Sequence, residues 1–447
     1  MNRGEEEILS KNILIVPNHD AALLEYVRLF ENLPKTLKPI FYITYNSKVS
    51  LKIKQLGWGL YGESSQKESL LQSKSIVRRA FKFFLDETKL GCFIQRYILI
   101  NVMAEKLKAS ILTRSKKISH IMIENKISTL IIANDRTFGA EAAAAYSARE
   151  LGIKIVVPAF AYSATYESSF KLRLSKIYDA QYSIDKANIM TCINKGSKAF
   201  LRPFVSKAMA ELNLKLERPW VLGGGFSDYV LLDSEREKER IISYGGDESK
   251  YIVTGIAAHD DLYESYLIKR KLKKIIITEN SMMDSKKNLI LALPQYYEHK
   301  LMDKDSQLII YRDLFSKLVK LNFNVIVSLH PKASFDDYSW INSVSKNLII
   351  STRPLTELIT IANVFVSTYS STISWALLCE IPCVIVDHPN LNYSDFYSEF
   401  HIPVCKTNDE LIEILSSELL MRCASERIIS SIGVFDGNSR SRIASYI

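Results

Sequence analysis

The sequence predicts an α/β protein built from two doubly wound parallel sheets. Three observations lead there. The chain has 447 residues, more than one hydrophobic core of ordinary size takes in. Short apolar runs alternate with helical patterns along most of it, and polar, glycine- or proline-containing breaks close those runs. Hydrophobic residues make up 47% and charged residues 24% of the chain, so each half has enough apolar surface to bury a core of its own.

In order, Ile13–Pro17 reads as a strand, followed by a polar turn and a helix over Ala21–Leu33. Pro39–Thr44 is a second strand, and residues 65–126 read as a basic helical excursion. Ser128–Ala133, the alanine-rich segment Phe138–Leu151 stopped by Gly152, and Ile153–Val157 give strand, helix, strand, the signature of parallel pairing. Residues 165–215 mix helical and loop signals and yield no assignment. Tyr229–Leu232 and Tyr251–Gly255 are strands around a charged helix, Ser234–Tyr244. A boundary is expected near residue 268, giving domains 1–268 and 269–447, with Ile275–Thr278 as the first strand of the second.

The second half continues with a helix over Ile310–Leu321 and the strands Asn324–Ser328 and Asn347–Ile350. A helix at Leu355–Ala362, the strand Val364–Ser367, a helix at Ser371–Glu380 and the strand Cys383–Val386 complete the alternation. The helices from Asn408 onward are expected to cross back to the first domain.

Several function classes drop out. The formal charge of +9 asks for an anionic partner, a charged substrate or an acidic membrane surface. Nucleic acid is not expected, because the basic residues are spread along ordinary helices with no zinc-finger spacing or aromatic RNA-binding signature. The six cysteines lack a Cys-x-x-Cys pair, which fits reduced, buried thiols, and no metal site is expected. The acidic N-terminal residues do not resemble a signal peptide, and the most apolar stretch, Cys92–Ala104, is too short and too polar to span a bilayer. A cytoplasmic protein, peripheral at the inner face of the cytoplasmic membrane, is the expectation.

Ligands of parallel α/β sheets sit beyond the carboxyl ends of the strands. His330 stands there, directly after Asn324–Ser328, with Pro331 ending the strand and Lys332 beside it. Ser367-Thr-Tyr-Ser-Ser-Thr372 joins a strand to an apolar helix, so Ser367, Tyr369, Ser370, Ser371 and Thr372 bring hydroxyls toward one spot suited to a phosphate. An ordinary helix cap would need only Ser370 or Ser371. Glu298 and His299 lie in a third loop, a carboxylate for ribose hydroxyls and an imidazole for a phosphate, or simply a solvated helix start. Gly255 admits close approach of a ligand or makes a plain turn. In the first half, Asp135 is the best-placed carboxylate, able to take a proton from an acceptor hydroxyl or to attack a donor carbon, or else to cap a helix or pair with Arg136. His19 and Asp20 are weaker candidates for the same role.

At these residues the chain resembles the GT-B superfamily of UDP-N-acetylglucosamine 2-epimerases, CDP-glycerol glycerophosphotransferases and the Kdo and sialic acid transferases of bacterial surface polysaccharides. The resemblance covers roughly residues 229–390 and rests on Tyr251–Gly255 with Asp260, on Leu329-His-Pro331, on Ser370-Ser-Thr372 ahead of Trp375–Leu378, and on Ile381–Ile385. It departs from the superfamily at Ser374-Trp375-Ala376, where an acidic residue often precedes the alanine. The resemblance implies two Rossmann-like domains facing a cleft. It also implies that His330, Pro331, Ser370, Ser371 and Thr372 hold the phosphate of a CMP-sugar donor, without a metal cofactor, and that a carboxylate of the first domain, carried over to Asp135, is catalytic. The function it implies is transfer of Kdo or a sialic-acid-like sugar from CMP to a glycan or glycolipid of a capsule, lipopolysaccharide or O-antigen. Two alternatives stand beside it: an epimerase-like or CDP-glycerol-transferase-like enzyme, and a non-catalytic scaffold held at the membrane by basic helices such as Arg78–Lys82 and Lys106–Lys117.

Overall fold

A computed structural model of the chain describes residues 10–62, 76–160, 169, 173–179, 181, 189–192, 196–299, 301–330, 333–393, 396–417 and 431–447. These fall into two compact units. Unit 1 is Met1–Asp233, Glu237–Ile256 and Arg440–Ile447, and unit 2 is Ser234–Arg236 and Ala257–Ser439.

Unit 1 begins β1 (Lys11–Val16), α1 (Asp20–Glu31), β2 (Leu37–Ile43), α2 (Ser50–Gln55) and β3 (Gly59–Gly62). The expected excursion follows as α3 (Ile76–Glu87), α4 (Lys89–Phe93), a π-helical turn over Ile94–Leu99, and the long α5 (Ile100–Glu124); residues 65–75 of the expected segment lie outside the described residues. Next come β4 (Ile127–Ile132), α6 (Ala140–Glu150), β5 (Lys154–Pro158), a small antiparallel pair β6 (Ile189–Cys192) and β7 (Gly196–Ala199), α7 (Pro203–Glu211), β8 (Tyr229–Leu232), α8 (Glu235–Ser243) and β9 (Tyr251–Val253).

Seven of these strands form one sheet in the order β3-β2-β1-β4-β5-β8-β9, every pairing parallel. Ile13–Val16 and Leu130–Ile132 are wholly buried, because a parallel sheet covered by helices on both faces needs continuous apolar strands. Helix α6 shows why the alanine run is there. Ala142–Ala145 are all fully buried, and the small side chains let the helix approach α5 until Ser147 Oγ donates to the Ser115 carbonyl at 2.9 Å.

Unit 2 opens with α9 (Ala257–Leu267) and α10 (Lys269–Glu279). The expected strand Ile275–Thr278 is therefore a helix. Leu272, Ile276 and Ile277 are buried while the intervening lysines stay outside, so the isoleucine run is one turn of an amphipathic helix and not a buried strand. The first strand is instead β10 (Lys287–Ala292), followed by α11 (Lys304–Leu318), β11 (Phe323–Ser328), α12 (Phe335–Tyr338), β12 (Leu348–Ser351), α13 (Leu355–Thr360), β13 (Val364–Ser367), α14 (Thr372–Leu378), β14 (Cys383–Val386), β15 (Val404–Cys405) and α15 (Asn408–Ser416). Helix α11 starts earlier than its apolar pattern suggests because Asp303 caps it, accepting from Ser306 N at 2.8 Å. The sheet order is β12-β11-β10-β13-β14-β15, again all parallel.

Counted within its own unit, each sheet has the order 3-2-1-4-5-6, with a seventh strand added in unit 1. Both are Rossmann-like, and in each the order reverses between the first and fourth strands, the place where α/β sheets open a crevice. In unit 1 that point lies between β1 and β4, and in unit 2 between β10 and β13. The last helix, α16 (Ser439–Ala444), brings the chain back to unit 1. Arg442 Nε donates to the Thr254 carbonyl at 2.8 Å, and Lys11 Nζ to the Ile447 carbonyl at 2.9 Å. Among the described residues no helix is long and apolar enough to cross a membrane.

Candidate functional site

The carboxyl edge of the unit 2 sheet gathers polar side chains from four neighbouring strands. His330 follows β11, Gln295, Glu298 and His299 follow β10, Tyr369–Thr372 follow β13, and Asp387 and His388 follow β14. All strands run the same way, so these segments share one end of the sheet. The His299 and His330 rings lie edge to face with centroids 6.3 Å apart. A backbone turn from His299 N to the Gln295 carbonyl, 3.0 Å, holds the β10 loop.

The hydroxyl cluster is real but partly self-satisfied. Ser370 Oγ and Thr372 Oγ1 are 2.9 Å apart, and Ser370 Oγ also accepts from Thr372 N at 3.3 Å. Ser371 makes no side-chain cap to α14, so the helix-cap reading fits Ser370, which accepts from the helix's first N–H, and not Ser371. Ser367 is buried within the end of β13. Tyr369 turns away to donate to Asp387 Oδ2 at 3.3 Å and packs on Tyr393 and Phe396; burial, with the Asp387 charge, pushes its phenol up to about 12. Glu298 is engaged in structure: Tyr338 OH donates to its Oε1 at 2.8 Å, and Gln307 Nε2 lies 3.5 Å from Oε2. Pro331 and Lys332 lie outside the described residues.

Two residues here were not singled out from sequence. His388 bridges Tyr296 OH at 3.1 Å and Asn408 Oδ1 at 2.9 Å, and burial lowers its pKa, so it serves as a neutral structural link. Gln295 is different. It is only 6% exposed, yet neither its amide nitrogen nor its oxygen has a hydrogen-bond partner among the described residues. A buried carboxamide left unbonded costs roughly 1–3 kcal/mol, and this one stands after the central strand, between the His330 and Ser370–Thr372 loops. Its position two residues beyond an apolar run and next to Pro294 was a usable signal, passed over for the charged and imidazole side chains of Glu298 and His299 in the same loop.

Unit 1 has a corresponding edge. His19 caps α1, its Nδ1 accepting from Ala22 N at 3.2 Å. Asp135, expected as the acceptor-side carboxylate, is wholly buried. Its Oδ1 accepts from Gly223 N at 3.2 Å, and its Oδ2 from Gly225 N at 3.0 Å and Ser227 Oγ at 2.8 Å. Arg136 Nε lies 3.9 Å from Oδ1. The carboxylate therefore fastens the glycine loop to the end of β4. Gly255 stands after β9, the outermost strand of unit 1; its φ of +77° and its N–H bond to the Leu232 carbonyl make a turn.

Beside Asp135 lies a carboxylate that sequence reasoning passed over. Glu141, in the first turn of α6, is buried; its Oε1 accepts from Ala133 N at 3.0 Å and Asn134 N at 2.9 Å, while Oε2 has no partner among the described residues. Burial raises its pKa to about 7 against the pull of the Thr137 hydroxyl and the two backbone amides, and the Asp135 charge raises it further. Tyr45 OH and Asp20 Oδ1, at the ends of β2 and β1, are likewise buried without partners. Burial raises the Tyr45 pKa, helped by Asp20 and Glu141. Each sheet thus ends, at its switch point, in polar atoms without hydrogen-bond partners among the described residues. Elsewhere in unit 1, a cavity of about 290 Å³ is lined by Arg149, Lys215, Arg218, Lys250 and the Gly223–Gly225 backbone.

No protein-family profile matches the sequence, and no curated protein matches it. Solved structures do. A UDP-GlcNAc 2-epimerase from Neisseria meningitidis, bound to UDP-GlcNAc, is 12% identical and superposes with a TM-score of 0.51 over 97% of this chain and 99% of its own. S. aureus MnaA with UDP gives 12% and 0.51 over 98% and 95%. The wall teichoic acid polymerase TagF, a histidine variant soaked with CDPG, gives 11% and 0.50 over 99% and 90%. The chain has the GT-B-like fold of these proteins, a pair of Rossmann-like α/β units.

Proposed function

We propose that this protein is a glycosyltransferase that draws its sugar from a nucleotide-activated donor, with CMP-Kdo or a CMP-linked sialic-acid-like sugar as donor and a bacterial surface glycan as acceptor. The observation that carries the reading is that His330, Gln295 and the Ser370–Thr372 hydroxyls follow three neighbouring strands, β11, β10 and β13, at the switch point of a sheet with Rossmann order. Support also comes from the fold, since proteins sharing it are found with UDP-GlcNAc, UDP and CDPG.

In this reading His330, Ser370, Ser371 and Thr372 donate to the nucleotide phosphate, so charge building on it as the bond to the anomeric carbon breaks is neutralised. Gln295 fills its unmet hydrogen bonds on the same donor. The proton of the acceptor hydroxyl goes to Glu141 in place of Asp135, whose oxygens are already occupied. A carboxyl group with a pKa of about 7 is matched to that task near neutrality. Glu141→Gln should then lower the transfer rate roughly 10²–10⁴-fold, the usual worth of a general base. No metal is needed for these steps.

The test is thermal stability across a set of nucleotides, because a ligand that binds only the folded protein raises the melting temperature. CMP should give the largest rise, and His330→Ala should abolish it while leaving the melting temperature without nucleotide unchanged. An equal or larger response to UDP defeats the donor assignment. That result would favour the second reading, a UDP-GlcNAc 2-epimerase-like enzyme, suggested by the likeness to the Neisseria and S. aureus structures. Release of UDP from UDP-GlcNAc without any acceptor would then separate it from a transferase.

A further inference from the structure

We propose that the helical excursion of unit 1 is a lipid-facing surface that seats the protein on an anionic membrane leaflet. The inference goes beyond the reading above and does not depend on it.

Helices α3 and α4 and the π turn after them present Phe81, Phe83, Leu90, Phe93, Tyr97 and Ile98, each between 49% and 66% exposed. Large apolar side chains scattered singly over a surface need no explanation, but six within one continuous helical stretch make a patch of the kind that marks a partner. The geometry gathers them. The π turn over Ile94–Leu99 carries more residues per turn than an α-helix and so shifts the outward face. The exposed Phe93 and Tyr97 rings lie tilted against each other with centroids 4.6 Å apart, and Ile98 stands next to them in sequence.

The layer beneath is built and fixed. Cys92 and Ile177 are wholly buried in a small apolar cluster, with Tyr178 packed against it. Gln95 Nε2 donates to the Leu85 carbonyl at 2.8 Å and to Asp86 Oδ1 at 3.1 Å, and Arg202 closes the group with a 2.6 Å bond to Asp86 Oδ2. A helix face whose inner side is locked by a partly buried ion pair, and whose outer side is aromatic and aliphatic, is a finished surface and not an unfolded end.

Charge decides the occupant. Between Ala80 and Ala104 the sequence has two carboxylates, Asp86 and Glu87. Asp86 is buried and paired with Arg202, and Glu87 faces Lys176 N at 3.4 Å. Lys82 and Lys89 are exposed between the apolar residues, and the Arg96 guanidinium lies 5.3 Å from the Tyr97 ring centroid. Aromatic and aliphatic groups interleaved with cations, on helices too short and too charged to span, are the chemistry of an interfacial surface: the rings enter the headgroup boundary while the cations meet lipid phosphates. A sugar transferred to a lipid-anchored acceptor would be met there as well.

Flotation of the full chain with vesicles tests this. Vesicles of phosphatidylcholine with phosphatidylglycerol should carry the wild type to the top of the gradient, pure phosphatidylcholine should not, and added salt should release it. Phe83→Ser with Ile98→Ser, and separately Lys82→Glu with Lys89→Glu, should each lower partitioning about tenfold or more, with melting temperatures equal to the wild type because all four positions are exposed. Absence of flotation, or variants that float like the wild type, overturns the proposal. So does a wild-type dimer that becomes monomeric in the Phe83/Ile98 variant with no change in flotation, which would assign the patch to a second copy of the chain. The CMP-induced shift should persist in all these variants; its absence from the wild type would count against the donor reading alone.

Discussion

Asp135→Ala is expected to destabilise unit 1 by about 3–5 kcal/mol, read as a lowered urea midpoint with an unchanged denaturant slope. The wild-type carboxylate satisfies three donors, Gly223 N, Gly225 N and Ser227 Oγ, from a site without solvent exposure. Truncation leaves all three without an acceptor and removes the negative charge nearest to Arg136, itself buried enough that its pKa is pulled below the ordinary value, with Asp135 opposing. Buried donors left unmet cost roughly 1–3 kcal/mol each, so even partial relaxation of the loop leaves a large loss. Asp135→Asn, which keeps two acceptor lone pairs and the shape, should fall between. A loss under about 1 kcal/mol for Asp135→Ala would mean that the glycine loop is held by something else.

Glu141→Gln is expected to do the reverse and stabilise the protein at about pH 8 by roughly 3 kcal/mol. Burial raises the Glu141 pKa from 4.5 to about 7, so between those values the folded protein holds a proton that the unfolded chain has released. Stability from this group is complete below about pH 4.5 and is lost as pH rises through 7. The groups facing it are Asp135, Thr137, Tyr45, Tyr26 and Arg136; burial raises Tyr45 and Tyr26 above their ordinary range and lowers Arg136 within its own. Glutamine keeps the Oε1 bonds to Ala133 N and Asn134 N and has no charge to bury. Melting curves from about pH 5 to 8 should show the wild type declining and Glu141→Gln nearly flat over the part due to this group. Coincident curves would sink both the raised pKa and the role given to Glu141 in proton transfer. On the acid side, His259 is fully buried with its pKa lowered to about 4; its contribution is present above about 6.5 and is lost as pH falls through 4. A variant that is more stable yet inactive is the common outcome when a strained group serves the reaction.

The alternation of apolar runs and helices was enough to read two parallel sheets, because a strand buried on both faces must be continuously apolar and few other structures demand that. The switch point of unit 2 was half legible. His330 and Ser370–Thr372 stand out because proline and a row of hydroxyls end obvious strands. Gln295 did not: its loop was read for the carboxylate of Glu298 and the imidazole of His299, and a neutral carboxamide draws notice only once its burial is seen. In unit 1 Asp135 drew notice from its place at a strand end, while Glu141, inside an alanine-rich helix, carried no signal. What sets the two apart, burial and hydrogen bonding, is not written in the local pattern. Asp135 is tied down by a loop ninety residues away in sequence, a contact no local pattern encodes, and Glu141 is left with an oxygen unmet.

The chain leaves unit 1 after Ile256 and returns to it at Arg440. Ile443 and Ile447 are buried there, and Arg442 caps the Thr254 carbonyl. All strands of the unit 1 sheet precede residue 254, so this returning segment adds a last helix and its side-chain contacts to a sheet already made. Removing residues 440–447 should therefore leave every strand of both sheets in place and open unit 1 to protease sooner than unit 2.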